Sequence, residues 1–160
     1  MRVGITGHRE LPPDTARQVR SQLAAAVGEY AGPAGELVAV SCLADGPDSW
    51  FAECVLARGG SLEAVLPADD YRTALPEGHR PDLDALLDQA SQVHRTGLAL
   101  SDSHAFMTAG ELMLDQAESL LAVWDGQPAR GPGGTADVVA AAGERGMPVR
   151  VIWSESACRG

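Results

Sequence analysis

The chain has 160 residues, of which 45% are apolar, and a formal net charge of −10. That length gives one domain a full core and leaves too little for a second, so a single globular domain spanning residues 1–160 is expected. The acidic balance argues against a broad phosphate-backbone surface, which disfavours nucleic acid as a partner. Read in chain order, Arg2-Val3-Gly4-Ile5-Thr6 is a short apolar strand of the kind found at a sheet centre, ended by Gly7-His8-Arg9. Pro12-Pro13-Asp14-Thr15 signals a helix start, and Ala16, Val19, Leu23, Val27 and Tyr30 then mark one helical face. Residues 37–41 form a second buried strand, followed by a turn at 44–48. Trp50, Phe51, Cys54, Val55 and Leu56 mark the inner side of the next helix. A third strand covers 62–66 and stops at Pro67. The stretch from 69 to 81 is polar and reads as an irregular, mobile loop carrying Tyr71, Arg72 and His79. Leu83, Leu86, Leu87, Ala90 and Val93 give an amphipathic helix, with a short strand at 98–100 after Gly97. Ser101-Asp102-Ser103 can cap a helix carrying Phe106, Met107, Met113 and Leu114. The apolar run 120–124 is a further strand, the alanine-rich run from 136 a helix, and 149–153 a last strand.

Continuous apolar strands alternating with helices predict an α/β fold. It is a Rossmann-like, doubly wound three-layer sandwich on a mainly parallel sheet. In such sheets ligands sit beyond the C-terminal strand ends, where the winding reverses. The stretch 120–139 carries the strongest local signal. A strand there empties at Asp125-Gly126 into a glycine-rich loop with Gly131, Gly133 and Gly134, and Thr135 then opens a helix. Glycines allow close backbone approach, and the first amides of a helix are unpaired, so residues 131–135 form a natural cradle for a phosphate. On the first strand's exit loop, Gly7, His8 and Arg9 are candidate ligand contacts. Arg9 suits a phosphate and His8 a ribose or base. Ser41, Leu43 and Gly46 are expected on the ligand's other side. Tyr71 with Arg72 can stack over a base from the mobile loop. Asp48 can line the same side of the ligand as Ser41 and Gly46 or act as an N-cap of the helix that follows it, the latter being the ordinary role of such an acid. Asp125, at a strand end, can accept from ribose hydroxyls as a ligand contact, and it and Asp137, which lies in a first helical turn, are the candidate catalytic carboxylates.

Several chemistries are excluded. All 12 basic side chains are Arg, so there is no lysine for a Schiff base or a Walker-type phosphate loop. Gly4-x-x-Gly7 does not satisfy the dinucleotide fingerprint. The three cysteines lack metal-ligand spacing and read as reduced thiols, and the histidines are scattered, so neither a metal site nor a cofactor is expected. No apolar run approaches the ~20 residues of a membrane span, and the N-terminus has no leader-like segment, so a cytoplasmic location without membrane association is expected.

Three segments, each just after a predicted strand, carry a resemblance. They are Gly4-Ile5-Thr6-Gly7-His8-Arg9; Ser41-Cys42-Leu43-Ala44-Asp45-Gly46-Pro47-Asp48; and Ala122-Val123-Trp124-Asp125-Gly126, followed by Gly131-Pro132-Gly133-Gly134-Thr135-Ala136-Asp137. Together they resemble the SLOG superfamily, which includes the LOG phosphoribohydrolases ("lysine decarboxylase-like" proteins) and the DNA-processing protein A fold. The resemblance implies a Rossmann-like domain that binds a nucleotide or nucleotide-derived small molecule, with a homodimer as the expected assembly. It also implies an alternative, cleavage of the N-glycosidic bond of a nucleoside monophosphate. LOG enzymes carry a Pro-Gly-Gly-x-Gly-Thr-x-x-Glu loop and a Met-x-x-Arg-Lys stretch. Here the loop is shorter, its nearest acid is Asp137, and the comparable helix reads Met107-Thr108-Ala109-Gly110-Glu111.

Overall fold

The computed structural model describes residues 1–31, 36–128 and 134–153. Six strands form one sheet: β1 (Arg2–Gly7), β2 (Val38–Ser41), β3 (Ser61–Leu66), β4 (Gln92–Arg95), β5 (Ser119–Val123) and β6 (Val149–Ile152). The helices are α1 (Pro13–Ala31), α2 (Pro47–Ala57), α3 (Tyr71–Ala74), α4 (Arg80–Gln89), α5 (Ser103–Gln116) and α6 (Thr135–Glu144), with a 3-10 turn at Glu77–His79. The strand order is β4-β3-β2-β1-β5-β6, and every pairing is parallel. The chain therefore winds outward from β1 to β4 and then returns to β5 on β1's other side. The winding reverses between β1 and β5, which is where an open α/β sheet leaves a crevice.

Alternation along the strands feeds two cores. Val3 and Ile5 of β1 and Leu121 and Val123 of β5 meet Val19 and Leu23 of α1 and Phe51 and Val55 of α2 on one face. Val40, Val65 and Leu120 meet Met113 and Leu114 of α5 and Val138 of α6 on the other. Successive strand residues point to opposite faces, so a continuous apolar run serves both layers. The helices contribute their periodic stripes, and Asp102 caps α5 by accepting the Ala105 amide at 2.8 Å.

Two local expectations are corrected. The amphipathic helix ends at Gln89, and Val93 belongs to β4; residues 98–100 are not a strand. Ala90 turns extended, and Ser91 donates its amide and hydroxyl to the Leu62 carbonyl, which starts the ladder with β3. As an edge strand, β4 is largely exposed and therefore polar, so apolar periodicity cannot reveal it. The stretch 69–81, expected as an irregular loop, is folded: Tyr71, Leu75 and His79 are buried, and Arg72 makes a bidentate pair with Asp84.

Candidate functional site

A cleft of about 510 Å³ opens at the C-terminal edge of the sheet. Its rim is built by the exit of β1 (Thr6, Gly7, His8, Arg9, Glu10), the loop after β2 (Cys42, Ala44) and the first turn of α2 (Asp48). The far wall comes from Tyr71 and Leu75, from Phe106 and Met113 of α5, and from Gly134 and Thr135 at the start of α6. The position is the switch point that the strand order dictates.

Two helix starts flank the end of β1 from opposite faces. Thr6 Oγ1 lies 3.5 Å from Thr135 Oγ1, at the first residue of α6. The next residue, Gly7, packs on the start of α2: a Cβ there would stand 2.9 Å from Pro47 Cβ and 3.0 Å from Val123 Cβ. Gly7 thus lines the cleft, and its lack of a side chain is required by packing. Gly134 is the N-cap of α6 and supplies no side-chain hydrogen bond, so that helix start relies on its backbone.

The loop after β2 is held by a buried polar network. Ser41 Oγ donates to the Asp48 carbonyl at 3.0 Å and accepts the Leu43 amide at 3.0 Å. Ser49 Oγ donates to the Ala44 carbonyl at 2.7 Å. His79 Nε2 lies 2.9 Å from the Leu43 carbonyl, to which it donates, and 3.3 Å from Ser49 Oγ. These bonds hold Leu43 at φ 57, a left-handed conformation that costs a branched residue about 1–2 kcal/mol. Ser41 and Leu43, expected against the ligand, are braces behind the loop and do not line the cleft. Gly46 is the N-cap of α2 at φ 96, a conformation that suits glycine, and it too stays outside the lining.

With Gly46 as the cap, Asp48 takes the other of the two roles the sequence offered, lining the cleft. It sits in the first turn of α2. It is 9% exposed and lines the cleft. Burial pushes its carboxyl up to about 7, against the Ala44 amide and the nearby Arg9, which favour the charged form. Arg9 is tied to Asp45, with Nε 2.7 Å from Oδ1. Burial also raises the Cys42 thiol and the Tyr71 phenol, so neither ionises readily near neutral pH.

The remaining expected residues are distributed as follows. His8 lines the cleft, but its Nε2 lies 3.1 Å from Asp125 Oδ1 and 3.2 Å from the Asp125 amide, and its ring meets Trp153 edge-on at 5.7 Å. Asp125 therefore joins the exits of β1 and β5 and is not part of the lining. Asp137, half-buried in the first turn of α6, is not part of it either. Tyr71 does line the cleft, from a buried position in α3 and not from a mobile lid; Arg72 is turned to Asp84. Gly131 and Gly133 lie outside the described residues. Sequence reading assigned Phe106 and Met113 to the core. The signal for their second role was that α5 follows an edge strand and so begins at the ligand-bearing edge. Among the described residues, no group of three or more His, Cys, Asp or Glu is placed to hold a metal ion. No described helix is long and apolar enough to cross a membrane.

No protein-family model matches the sequence, and no curated protein matches it. Solved structures do match. DNA processing protein A from Streptococcus pneumoniae aligns with a TM-score of 0.67 at 18% identity, over 97% of this chain and 51% of that one. DNA processing protein A from Helicobacter pylori, described for its single-stranded DNA binding mode, aligns with a TM-score of 0.68 at 14% identity, over 99% of this chain and 68% of that one. The molybdenum cofactor binding protein from Rippkaea orientalis aligns at 0.58 and 16% identity, over 94% of this chain and 74% of that one. The chain spans about half the length of the first of these. The fold is thus the Rossmann-like one that these solved structures share. The comparison also corrects the expectation that nucleic acid is a disfavoured partner. A fold of this kind serves single-stranded DNA in the Helicobacter protein, so net charge over the whole chain is no ground for setting nucleic acid aside.

Proposed function

From a Rossmann-like fold whose cleft lies at the switch point, we propose that this domain binds a nucleotide or nucleotide-derived small molecule. The observation that carries the proposal is the pairing, in one cleft, of a backbone-only helix start at Gly134 and Thr135 with a largely apolar wall of Tyr71, Leu75, Phe106 and Met113. The first suits a phosphate and the second a flat heterocycle. Gly131 and Gly133 belong to the same proposed cradle. At about 510 Å³ the cleft falls within the range of small-molecule sites. Similar structures of a molybdenum cofactor binding protein and of a protein that binds single-stranded DNA support a ligand-binding role for the fold.

The test is thermal stability of the full chain against mono-, di- and cyclic nucleotides, with a single-stranded oligonucleotide as a separate arm. A ligand that binds only the folded state raises apparent stability by about 3 kcal/mol at a hundred times its Kd. A nucleotide-specific rise supports the proposal. No rise with any nucleotide at millimolar concentration refutes it, and a rise with the oligonucleotide alone reassigns the cleft to nucleic acid.

A second reading, N-glycosidic cleavage of a nucleoside monophosphate, is favoured by one observation: a cleft-lining carboxyl, Asp48, titrates near neutral pH. In that reading water adds at C1′ as the bond to the base breaks and the base leaves protonated. The carboxyl comes from Asp48, since Asp125 and Asp137 lie outside the lining. Release of free base that persists unchanged in Asp48→Asn removes Asp48 from any such reaction.

A further inference from the structure

Within the cleft, Asp48 carries a carboxyl that the fold holds from one side and leaves facing the ligand space. Ser41 bonds its backbone carbonyl, Gly46 has taken the cap position, and its carboxyl takes a backbone hydrogen bond from Ala44 while lining the cleft. The side chain is nine-tenths buried yet lines the cleft, so it faces the ligand space and not bulk water. The charged and titratable groups around it are Arg9 and Asp45 from the exits of β1 and β2, Cys42, Tyr71 from α3, and Glu10 on the rim. Arg9 is occupied by Asp45, and the Asp45 carboxylate opposes ionisation of Asp48. A phosphate is repelled from this corner.

A group that donates hydrogen bonds without carrying negative charge is what the corner accepts. Asp48 and the α6 start both pack on the end of β1, through Pro47 on Gly7 and through Thr135 on Thr6. Thr6 and Gly7 are successive, so the two polar corners border the same end of β1. A ribose 5-phosphate carries a hydrogen-bonding group for each corner, hydroxyls for one and the phosphate for the other.

We propose that Asp48 selects the sugar: its carboxylate accepts hydrogen bonds from the 2′- and 3′-hydroxyls of a ribose whose phosphate lies at the start of α6, so the cleft takes ribonucleotides in preference to deoxyribonucleotides. This deepens the nucleotide reading above and rests on it. Vicinal hydroxyls match the two oxygens of a carboxylate, and each hydrogen bond to a charged acceptor is worth about ten-fold in affinity or more. Since burial sets the Asp48 carboxyl to titrate near 7, the preference changes with pH over the accessible range.

The experiment is calorimetric titration of the full chain with the four common ribonucleoside 5′-monophosphates and their 2′,3′-dideoxy counterparts, at pH 8 and pH 5.5, for the native chain and Asp48→Asn. The expected result is a ribo-over-dideoxy preference of about ten-fold or more at pH 8 that shrinks markedly at pH 5.5. In Asp48→Asn the preference is lost at both pH values, while dideoxy binding stays near native. Equal affinities for the native chain at pH 8, or a preference that survives the substitution, overturn the assignment and leave the nucleotide reading standing. Failure of every nucleotide to bind overturns both. Should the variant not fold, the native pH profile decides alone: a preference that is flat between pH 5.5 and 8 refutes a role for the Asp48 carboxylate.

Discussion

Replacing Asp48 by Asn is predicted to stabilise the unliganded protein at alkaline pH and to do nothing at acid pH. The carboxyl titrates at about 7 in the folded chain, against an ordinary value of 3.8. Below pH ~4 it is neutral in both folded and unfolded states, so it adds no pH-dependent term. Between those values the unfolded chain gives up its proton while the folded one keeps it, so the unfolded state gains and stability falls. Above pH ~7 the penalty is complete. At about 1.4 kcal/mol per pH unit, its ceiling is about 4 kcal/mol. Allowing for local relaxation on ionisation, about 2 kcal/mol is the working figure. Asn keeps the size and one acceptor for the Ala44 amide but carries no charge. The native and Asp48→Asn proteins are to be unfolded in urea from pH 4 to pH 8.5 and the difference in midpoint followed. The difference should be near zero at pH 4 and reach about 1 M in favour of the variant at pH 8.5. Other acids cancel in this comparison. A difference of equal size at both ends, or a variant less stable at pH 8.5, refutes the buried, cleft-facing carboxyl.

Three further outcomes follow from other parts of the fold. Glu63, buried in β3, is held down to about 2, first by its hydrogen bonds from Arg2 and then, against the opposing effect of burial, by His94 at 2.9 Å. Its contribution is present above the ordinary 4.5 and is lost as pH falls through 2, so Arg2→Met should cost about 2 kcal/mol at pH 7 and move acid unfolding to higher pH, read by circular dichroism. Gly7→Ala places a methyl 2.9 Å from Pro47 Cβ and 3.0 Å from Val123 Cβ, and should destabilise by about 1–3 kcal/mol in thermal melts. His79→Ala removes the donor to the Leu43 carbonyl and should cost about 1–3 kcal/mol, with faster amide exchange across residues 42–46.

The fold was legible because its central strands are buried on both faces and hence read as unbroken apolar runs; Leu120, Leu121, Ala122 and Val123 are all fully buried. The same logic fails at the edge. Residues 92–95 are polar because β4 has a neighbour on one side only, so Val93 looked like the next turn of a helix. The stretch 69–81 is short of apolar residues, yet Tyr71, Leu75 and His79 are buried, His79 on long-range partners, Leu43 and Ser49, that no local pattern announces.

For the site, the sequence located the loops but not the directions of their side chains. Gly7, His8, Arg9, Tyr71, Gly134 and Thr135 do line the cleft. Ser41, Leu43 and Gly46 sit in the right loop but act behind it. For Asp48 the sequence offered both a cap and a ligand contact, and the cap was favoured because an acid in a first helical turn usually needs no other explanation. Only the backbone shows that Gly46 holds the cap position and leaves the carboxyl facing inward. Asp125 likewise looked available until its distance to His8 was known.

The most direct test of the nucleotide-binding cleft is amide-resolved NMR of the isotope-labelled chain titrated with AMP. The amides of Gly134, Thr135 and Ala136 should shift together with those of Gly7, His8 and Arg9, saturably and along one binding curve. Saturable shifts confined to surfaces away from these two segments, or none at millimolar AMP and at equal concentrations of the other ribonucleotides, contradict it.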